Sequence, residues 1–566
     1  MSVIRQVLCL STKIRSCREK SKILKLSSRC ISNAVLTKKV EGDNGEKIVT
    51  SSHEELFFPD GTISEYVWKS MLVYPTMTAL ECGITGRKYT YAKARDFSNF
   101  VARSLLKMGI KRGEVVALVM PNLPESAIAF LGCVEVGIIV TTVNPIYTVD
   151  EISRQFVSSN TKAVITSAEI AANVINAVNK SIPGSKIIVV NDNTVPMPDN
   201  VIPFEDLISR GRTLPPLPDR PFNPEDVAVL PYSSGTTGLP KGVMLTHQNL
   251  VSNVEMVKQT LDSDMIRCAD GSSQEIVPVV LPLYHIYGMS TVMLLRLSIG
   301  SRLITLPKFT PESYIKVLDE NKVDVLMLVP PMVIFLTNSK LAKKKHIENV
   351  SSVVSGAAPL SKSDVDKFYD KFGVDRQKLR FCQGYGLTEC SPVALFEKSG
   401  VKFSSIGKPV AGCEVRLVDP VTKKDVDTPN ETGELWIRGP HVMKGYLDNQ
   451  KATDETIQDD WLLTGDIAYY DEDLDFYITD RLKELIKVKG FQVAPAELEA
   501  LLRSHPNVEE AGVIGIPDER CGEIPRAFVV LKDKGKTTAE EIQDFVKGKV
   551  SEFKELKGWY FCRLFF

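Results

Sequence analysis

The sequence contains no pair of cysteines at the two-residue spacing that zinc sites and redox motifs use. Its eleven cysteines are scattered through 566 residues without a regular interval. Neither a zinc framework nor a disulfide framework is therefore expected. Cys382, Cys390 and Cys413 are predicted to be small packed residues of a protein in a reducing compartment.

An excess of charge of either sign is missing as well. Lysine and arginine number 69 against 70 aspartates and glutamates, which gives a net charge of −1. Nucleic acid is not an expected partner, because binding it requires a basic face. A transmembrane segment is not expected either, since the longest apolar region, Val277 to Leu297, is interrupted by Pro282, His285 and Arg296.

The amino-terminal segment, by contrast, is strongly basic. Residues 1–40 hold ten lysines and arginines against one acid, Glu19, and they are rich in serine. This composition resembles a mitochondrial transit peptide, which we predict within residues 1–45. The alternative is a disordered basic tail on a cytoplasmic protein.

The central region alternates predicted helices with apolar strands. Thr90 is placed to cap a helix, and Glu114 to Met120 and Gly137 to Val143 are predicted strands with a helix between them. Such alternation favours α/β units around mostly parallel sheets. We therefore predict a large α/β domain over residues 55–480.

A smaller α+β unit is predicted after it, over residues 481–557. A helix initiated by proline spans Pro495 to Arg503, and strands follow at Gly512 to Ile516 and Ala527 to Leu531. Thr538 then begins a last helix with a capping box. About 80 residues of this kind are enough for a separate domain.

The sharpest local signal is a loop rich in glycine and hydroxyl residues, Tyr232 to Gly242, with the sequence YSSGTTGLPKG. It follows the apolar strand Val227 to Leu230. Its glycines let the backbone turn tightly, while its hydroxyls, its N–H groups and Lys241 can bind phosphate oxygens. It is not a Walker A loop, because the four-residue gap before Gly-Lys and the following Ser or Thr are missing.

With four later motifs in order, this loop resembles the signature of the adenylate-forming superfamily, and most of all the acyl-CoA synthetases related to 4-coumarate–CoA ligase. The other motifs are PLYHIYG from Pro282, QGYGLTE from Gln383, WLLTGD from Trp461 and DRLKELIKVKG from Asp480. The resemblance covers about residues 55–557. It implies a ligase that uses ATP, Mg²⁺ and CoA to form an acyl-adenylate and then an acyl-CoA thioester, with a small domain that rotates between the steps.

The resemblance also implies roles for single residues. His285 would position the attacking carboxylate, and Lys487 and Gln492 would serve the thioester step. Glu389 would bind Mg²⁺, a cation that prefers carboxylate oxygen beside phosphates.

Three binding sets are implied in the same way. The CoA contacts would be Lys308, Lys489 and Gly490. The ATP site would comprise Ser233, Ser234, Gly235, Thr236, Thr237, Lys241, Ala357, Gln383, Gly384, Tyr385, Thr388, Asp466, Arg481 and Lys483. The acyl pocket would be lined by Tyr287, Val354, Gly356, Pro392 and Val393.

Val354 departs from the pattern of plant hydroxycinnamate ligases, which commonly carry a lysine at this position. An apolar side chain cannot donate a hydrogen bond to the phenol of such a substrate. We therefore expect a pocket suited to fatty or unsubstituted aryl acids.

Residues 558–566 depart as well, since they lack the Pro-x-x-x-Ser-Gly-Lys segment of the family. The lysine of that segment binds the carboxylate and α-phosphate, and losing such a charge lowers a rate on the order of 10²–10³-fold. We expect weak adenylation with thioester formation retained. A peroxisomal Ser-Lys-Leu-type terminus would require an isoform with a different C-terminus.

Two alternatives stand beside an active ligase, which we expect to be a monomer or a homodimer. A luciferase-like oxygenase would use the same adenylation and then O₂. A C-terminally truncated isoform would bind ATP or acid with little turnover. A peptide-synthetase module is disfavoured because no carrier domain follows.

Overall fold

The structure is a computed structural model. It describes residues 36–52, 61–191, 195–218, 222–233, 240–261, 265–358 and 360–481, followed by 486–488, 491–493, 495–518, 522–533, 537–547, 549–550, 554–556 and 559–561. No helix in these ranges is both long and apolar enough to cross a membrane.

A nine-stranded sheet forms the first half of the large domain. Its central strands are parallel, with Val115 paired to Ile139 and Ala163 to Lys186. All five residues of Val115–Val119 are buried, as expected for a strand covered on both faces. The strands are Val115–Val119, Ile139–Val143, Thr161–Ser167, Lys186–Val190, Ile202–Pro203, Val227–Leu230, Tyr232–Ser233, Lys241–Thr246 and Gly445–Tyr446.

Helices cover this sheet at close range. The Thr90 side chain accepts a hydrogen bond from the backbone of Lys93 and begins the helix Tyr91–Lys107, as predicted. Gly132 packs against it, since a Cβ there would lie 2.6 Å from the Ser98 carbonyl oxygen. The helices of this half are Ile63–Trp68, Tyr91–Lys107, Pro124–Glu135, Val149–Ser158, Ala171–Ser181, Phe204–Thr213 and His247–Thr260.

Two smaller sheets complete the α/β part of the large domain. One has four strands, Thr78–Cys82, Lys88–Thr90, Ile276–Val279 and Arg302–Thr305; the other has five, Val325–Leu328, Ser352–Ser355, Arg380–Gly386, Val393–Glu397 and Lys408–Pro409. They are flanked by the helices Leu295–Ser298, Pro311–Glu320, Pro330–Asn338 and Lys362–Phe372. A π-helix, Tyr287–Leu294, leads directly into Leu295–Ser298.

A seven-stranded sheet brings the two ends of the large domain together. Its strands are Leu36–Glu41, Lys47–Ser52, Glu414–Val418, Gly433–Arg438, Ile457–Gln458, Trp461–Tyr470 and Phe476–Arg481, and the helix Gln450–Thr456 lies beside it. Part of the predicted tail, residues 1–45, is thus a paired strand from Leu36, and residues 36–52 precede the predicted domain start at 55. Residues 1–35 lie outside the described residues.

The C-terminal unit has its own sheet and its own hydrophobic core. The strands are Ile486–Val488, Phe491–Val493, Val508–Asp518, Gly522–Leu531 and Trp559–Phe561, with helices Pro495–Arg503 and Ala539–Val546. Val493, Leu498, Val529 and Ile542 belong to one buried cluster. The predicted strands are parts of longer ones, and the Thr538 capping box is confirmed.

Part of the segment 558–566, which the sequence predicts to be a divergent tail, lies in the C-terminal sheet. Its described part, Trp559–Phe561, is a strand that pairs in parallel with Ala527, Phe528 and Val529. Residues 559–561 thus add a strand to this sheet.

Candidate active site

The two ends of the predicted phosphate loop lie directly opposite each other. Ser233 pairs with Lys241 and Tyr232 with Gly242 in an antiparallel ladder. The predicted ligands Ser234, Gly235, Thr236 and Thr237 lie outside the described residues. The Lys241 ammonium lies 4.7 Å from the centroid of the Tyr446 ring. The loop is thus anchored at its base, with a cation on the ring of a neighbouring strand.

Glu389 is tied to this loop base. Its Oε1 accepts hydrogen bonds from the hydroxyls of Ser233 and Tyr446, each at 2.9 Å. The residue is 8% exposed. Burial, and then the Glu389 carboxylate, raise the pKa of Tyr446, so its phenol stays protonated and donates.

The Glu389 donor set fits the predicted magnesium ion. Both side-chain hydrogen bonds use Oε1, and no cationic side chain is paired with this carboxylate among the residues that the structure describes. A carboxylate oxygen beside a phosphate loop is the ligand that Mg²⁺ takes with substrate phosphates. Thr388, the neighbouring predicted ATP contact, opens the short helical turn Thr388–Cys390.

A second carboxylate, Asp466, lies between two predicted nucleotide contacts. The Tyr385 hydroxyl donates to Oδ2 at 2.5 Å, and the Arg481 Nε lies 3.2 Å from Oδ1. Asp466 and Arg481 lie opposite each other on adjacent antiparallel strands, and this register brings their side chains together. Burial and then the Asp466 charge raise the pKa of Tyr385. Sequence placed these three residues in one site, and the fold brings them together; Lys483 lies outside the described residues.

The side chain of Gln383, a predicted ATP-binding residue, is bound within the protein. Its Oε1 accepts a hydrogen bond from the Leu360 backbone at 3.2 Å, and its Nε2 donates to the Phe403 carbonyl. The amide is therefore committed to holding two loops. Its backbone remains beside the site, because Gln383 pairs with Ser355 at the carboxyl ends of parallel strands.

The backbone at the end of these strands is open and sharply turned. Ala357 has a φ of +72°, in the region that favours glycine. A Cβ on Gly384 would lie 3.3 Å from the Phe396 ring. These two predicted ATP-binding positions thus present main chain rather than bulky side chains to a ligand.

His285 lies at the end of a loop that Asn122 secures. Asn122 donates to the carbonyl of Leu281 at 2.9 Å and accepts from the backbone of Leu283 at 2.9 Å. His285 Nδ1 accepts from the Tyr287 backbone at 3.2 Å. Loss of hydration lowers the pKa of His285, so the imidazole is neutral and carries its hydrogen on Nε2.

Three of the five residues predicted to line the acyl pocket, Tyr287, Val354 and Gly356, lie close to one another in the structure. The Tyr287 hydroxyl donates to the Val354 carbonyl at 3.2 Å, and a Cβ on Gly356 would lie 3.2 Å from the Tyr287 ring. Glycine at 356 therefore leaves room for the Tyr287 ring. Val393 is held separately, through hydrogen bonds to Asn253, and Pro392 follows Ser391 in a cis peptide.

The predicted CoA and thioester residues are only partly described. Lys308 is exposed just after the strand Arg302–Thr305. Lys487 and Gln492 pair across two short strands of the C-terminal unit. The side chains of Lys487 and Gln492, and the whole of Lys489 and Gly490, lie outside the described residues.

Two site residues were missed by sequence reasoning. Tyr446 lies 57 positions from Glu389, and Asn122 lies 161 positions from Leu283. Neither stands in one of the five motifs. No local pattern marks them, because their partners are supplied by the tertiary fold.

The chain is similar to known proteins over most of its length. The family model described as "AMP-binding enzyme" matches residues 67–447, and that of the "AMP-binding enzyme C-terminal domain" matches 497–564, which includes most of the segment 558–566. The chain is 36% identical to 4-coumarate–CoA ligase 1 of Arabidopsis thaliana, covering 93% of this chain and 94% of the relative. It is 37% identical to 4-coumarate–CoA ligase 1 of Solanum tuberosum, covering 92% and 93%.

Solved structures give the same picture. ATP-bound MatB from Rhodopseudomonas palustris superimposes with a TM-score of 0.77 at 26% identity, covering 89% of this chain and 95% of that one. An anthranilate–CoA ligase in complex with anthranoyl-AMP has a TM-score of 0.77 at 23% identity, covering 90% and 94%, and shows a shared fold.

Proposed function

Because the chain belongs to the AMP-binding enzyme family, we propose that it joins a hydrophobic carboxylic acid to CoA through an acyl-adenylate. It is an enzyme of the acid–thiol ligase class. The observation that carries the proposal is Glu389, a buried carboxylate hydrogen-bonded to Ser233 at the base of the phosphate loop. The relatives named 4-coumarate–CoA ligase support the same reaction.

In the first proposed step, a carboxylate oxygen of the acid attacks the α-phosphorus of ATP. The bond to pyrophosphate breaks, so acyl-AMP and pyrophosphate form. Neutral His285 donates from Nε2 to the other carboxylate oxygen and orients the attack. Lys241 at the loop base places positive charge near the phosphates. Mg²⁺ held by Glu389 would supply further charge stabilisation to the phosphate oxygens.

In the second proposed step, the thiol of CoA attacks the acyl carbon and loses its proton. The bond between the acyl carbon and the phosphate oxygen breaks, which releases AMP and leaves a thioester. Lys487 and Gln492 are proposed for this step on the family resemblance, and their pairing on adjacent strands supports a shared face.

The proposed acid is fatty or arylalkenoic. Val354 and Tyr287 line the wall, and their polar backbone and hydroxyl groups are bonded to each other rather than to a ligand. An acid with an apolar body next to its carboxylate therefore fits this wall better than a polar one.

Hydroxylamine trapping tests the proposal directly. The purified chain is incubated with ATP, Mg²⁺ and a panel of fatty, aryl and arylalkenoic acids, and the hydroxamate of each acyl-adenylate is measured. We expect hydroxamate from hydrophobic acids only when ATP is present, and thioester when CoA replaces hydroxylamine. Failure of every acid with an enzyme that still binds ATP would contradict the proposal.

A mitochondrial location is proposed separately, from the basic residues 1–40. Fusing residues 1–45 to a fluorescent reporter tests it. Import into mitochondria is expected, and a reporter that stays in the cytosol would rule the proposal out.

A further inference from the structure

A fully buried ion pair lies behind the acyl wall. Arg296 is 1% exposed and Glu275 4%, and the Arg296 Nη1 donates to Glu275 Oε2 at 2.8 Å. The Glu275 carboxylate also accepts hydrogen bonds from the Ser301 hydroxyl at 3.2 Å and from the Arg267 backbone at 2.6 Å. Removing two charges from water is costly, and the cost is offset only when the pair has good geometry and its remaining donors and acceptors are bonded.

The guanidinium uses only one of its edges in this pair. Nη1 faces Glu275 and, at 3.5 Å, the Met265 carbonyl. Within the described ranges, Nε has no hydrogen-bond partner, and Nη2 meets only the sulfur of Met327 at 3.9 Å. Nε and Nη2 together form the side fork of arginine, which can hold an oxygen atom with two donors. A buried donor without a partner is unfavourable, and a ligand oxygen would relieve that cost.

The fork lies next to the acyl wall. Met327 is paired with Val354 on the adjacent parallel strand, and Val354 accepts the Tyr287 hydroxyl. Arg296 and Tyr287 lie on one continuous helical stretch, the π-helix Tyr287–Leu294 and the helix Leu295–Ser298. The Arg296 charge also acts on the Tyr287 hydroxyl, offsetting part of the rise in its pKa that burial causes. The Met327 sulfur lies 3.9 Å from the Arg296 Nη2, and Met327 is paired with Val354 of the acyl wall.

We propose that Arg296 is a specificity-determining residue that hydrogen-bonds a neutral oxygen at the far end of the acid. A hydroxyl, keto or ether oxygen is favoured over a second carboxylate, because Glu275 already neutralises the guanidinium and another buried anion would be unpaired. Met327 is flexible and can move aside, since methionine has three rotatable bonds. The pocket would thus have apolar walls and one polar end.

This inference rests on the proposed ligase function, and its test separates the two. Straight-chain acids of increasing length are assayed by hydroxylamine trapping, each with and without a terminal hydroxyl, together with the pair cinnamate and 4-coumarate. At the length that reaches the fork, we expect the oxygenated acid to have a kcat/KM higher by on the order of 10- to 100-fold, as for a hydrogen bond to a charged group.

Three variants then identify the group responsible. Arg296→Lys keeps the charge beside Glu275 but lacks the fork, so the preference is expected to fall to near unity while the melting temperature changes little. The double variant Arg296→Met with Glu275→Met removes the pair without leaving a lone charge, and it is expected to reverse the preference. The control is Arg302→Met with Glu81→Gln, since Arg302 already uses both Nε and Nη2 on Glu81.

The outcomes are distinct. If plain acids form hydroxamates and no oxygenated acid is preferred at any length, the role of Arg296 is refuted and the ligase proposal stands. A preference that survives in Arg296→Lys would refute it as well. If no acid of either kind reacts, the ligase proposal itself fails.

Discussion

Two acidic sites of the large domain are compensated in opposite ways. Glu389 is held by two neutral hydroxyls, those of Ser233 and Tyr446. Asp471, Asp473 and Asp475 have carboxylate oxygens within 4.8 Å of one another, and they surround the Lys402 ammonium at 2.7, 2.8 and 2.7 Å. The cluster of three aspartates thus already contains a cation of the protein, the Lys402 ammonium. The Glu389 carboxylate has no such cation among the described residues.

The comparison teaches that the number of acidic groups does not identify a metal site. What matters is which positive charge balances them. The three carboxylates hold the pKa of Lys402 above its usual value even though partial burial opposes this. Lys402 follows the strand Val393–Glu397, and the three aspartates lie in the turn between the strands Trp461–Tyr470 and Phe476–Arg481. The ion pairs therefore link these two segments.

Removing the carboxylate of Glu389 should have the largest effect. Glu389→Gln keeps the size of the side chain but removes the charge expected to bind Mg²⁺. We expect the adenylation rate to fall on the order of 10²–10³-fold, with a higher Mg²⁺ requirement for the remaining activity. The measurement is hydroxamate formation against Mg²⁺ concentration.

Glu348→Gln is the matched control, because Glu348 is an exposed glutamate on the surface. It should leave rate and Mg²⁺ dependence unchanged. An active Glu389→Gln enzyme with an ordinary Mg²⁺ requirement would show that the two acidic sites do not differ in the way described.

Removing the cation of the second site should affect stability instead. Lys402→Met leaves three carboxylates facing one another, and we expect a loss of about 1–3 kcal/mol in the free energy of unfolding. The figure is below that of a fully buried pair because the Asp473 side chain is 74% exposed. Urea unfolding at neutral pH measures it, and kcat/KM per folded molecule should be unchanged.

The pH dependence of stability gives an independent check. Burial alone would raise the pKa of Asp471, but Lys402 and several hydrogen bonds outweigh it and lower the pKa. A lowered carboxyl pKa contributes stability above the unfolded value of about 3.9, and this stability is lost as pH falls through the folded value. Lys402→Met should lose less stability on acidification than the parent, and an equal loss would count against the link.

Removing one hydroxyl from Glu389 should have the smallest effect. Tyr446→Phe deletes one of two hydrogen bonds to Oε1 and keeps the ring under Lys241. We expect a decrease of roughly 2- to 10-fold in adenylation, since a single such bond contributes about 0.5–1.5 kcal/mol. Tyr477→Phe removes a hydroxyl bonded to Asp471 instead and should leave the adenylation rate unaltered.

Sequence predicted the parts of this protein that depend on local pattern. The Thr90 and Thr538 caps were correct because a cap is decided within four residues. The parallel strand at Val115–Val119 was correct because burial on both faces gives a continuous apolar run. The family motifs also grouped Tyr385, Asp466 and Arg481, which the fold brings into contact.

The rest depended on contacts between distant positions. The strand Leu36–Glu41 was missed because its lysines face solvent or a partner such as Asp427, so it resembles a basic tail. Arg296 was treated only as an interruption of an apolar run, since its partner Glu275 lies 21 positions away. Gln383 stands in the expected motif, but its side-chain amide is bonded to the backbone of Leu360 and of Phe403. No single motif predicts these bonds, because both partners lie outside the motif.

The pairing of Asp466 has a consequence for which nucleotides the protein accepts. Both carboxylate oxygens already have partners, Tyr385 on one and Arg481 on the other. A sugar that offers two adjacent hydroxyls can replace the donors that it displaces, whereas a sugar with one hydroxyl leaves an oxygen short of a donor. We therefore propose that Asp466 discriminates ribonucleotides from deoxyribonucleotides, and we expect ATP to be used in preference to dATP.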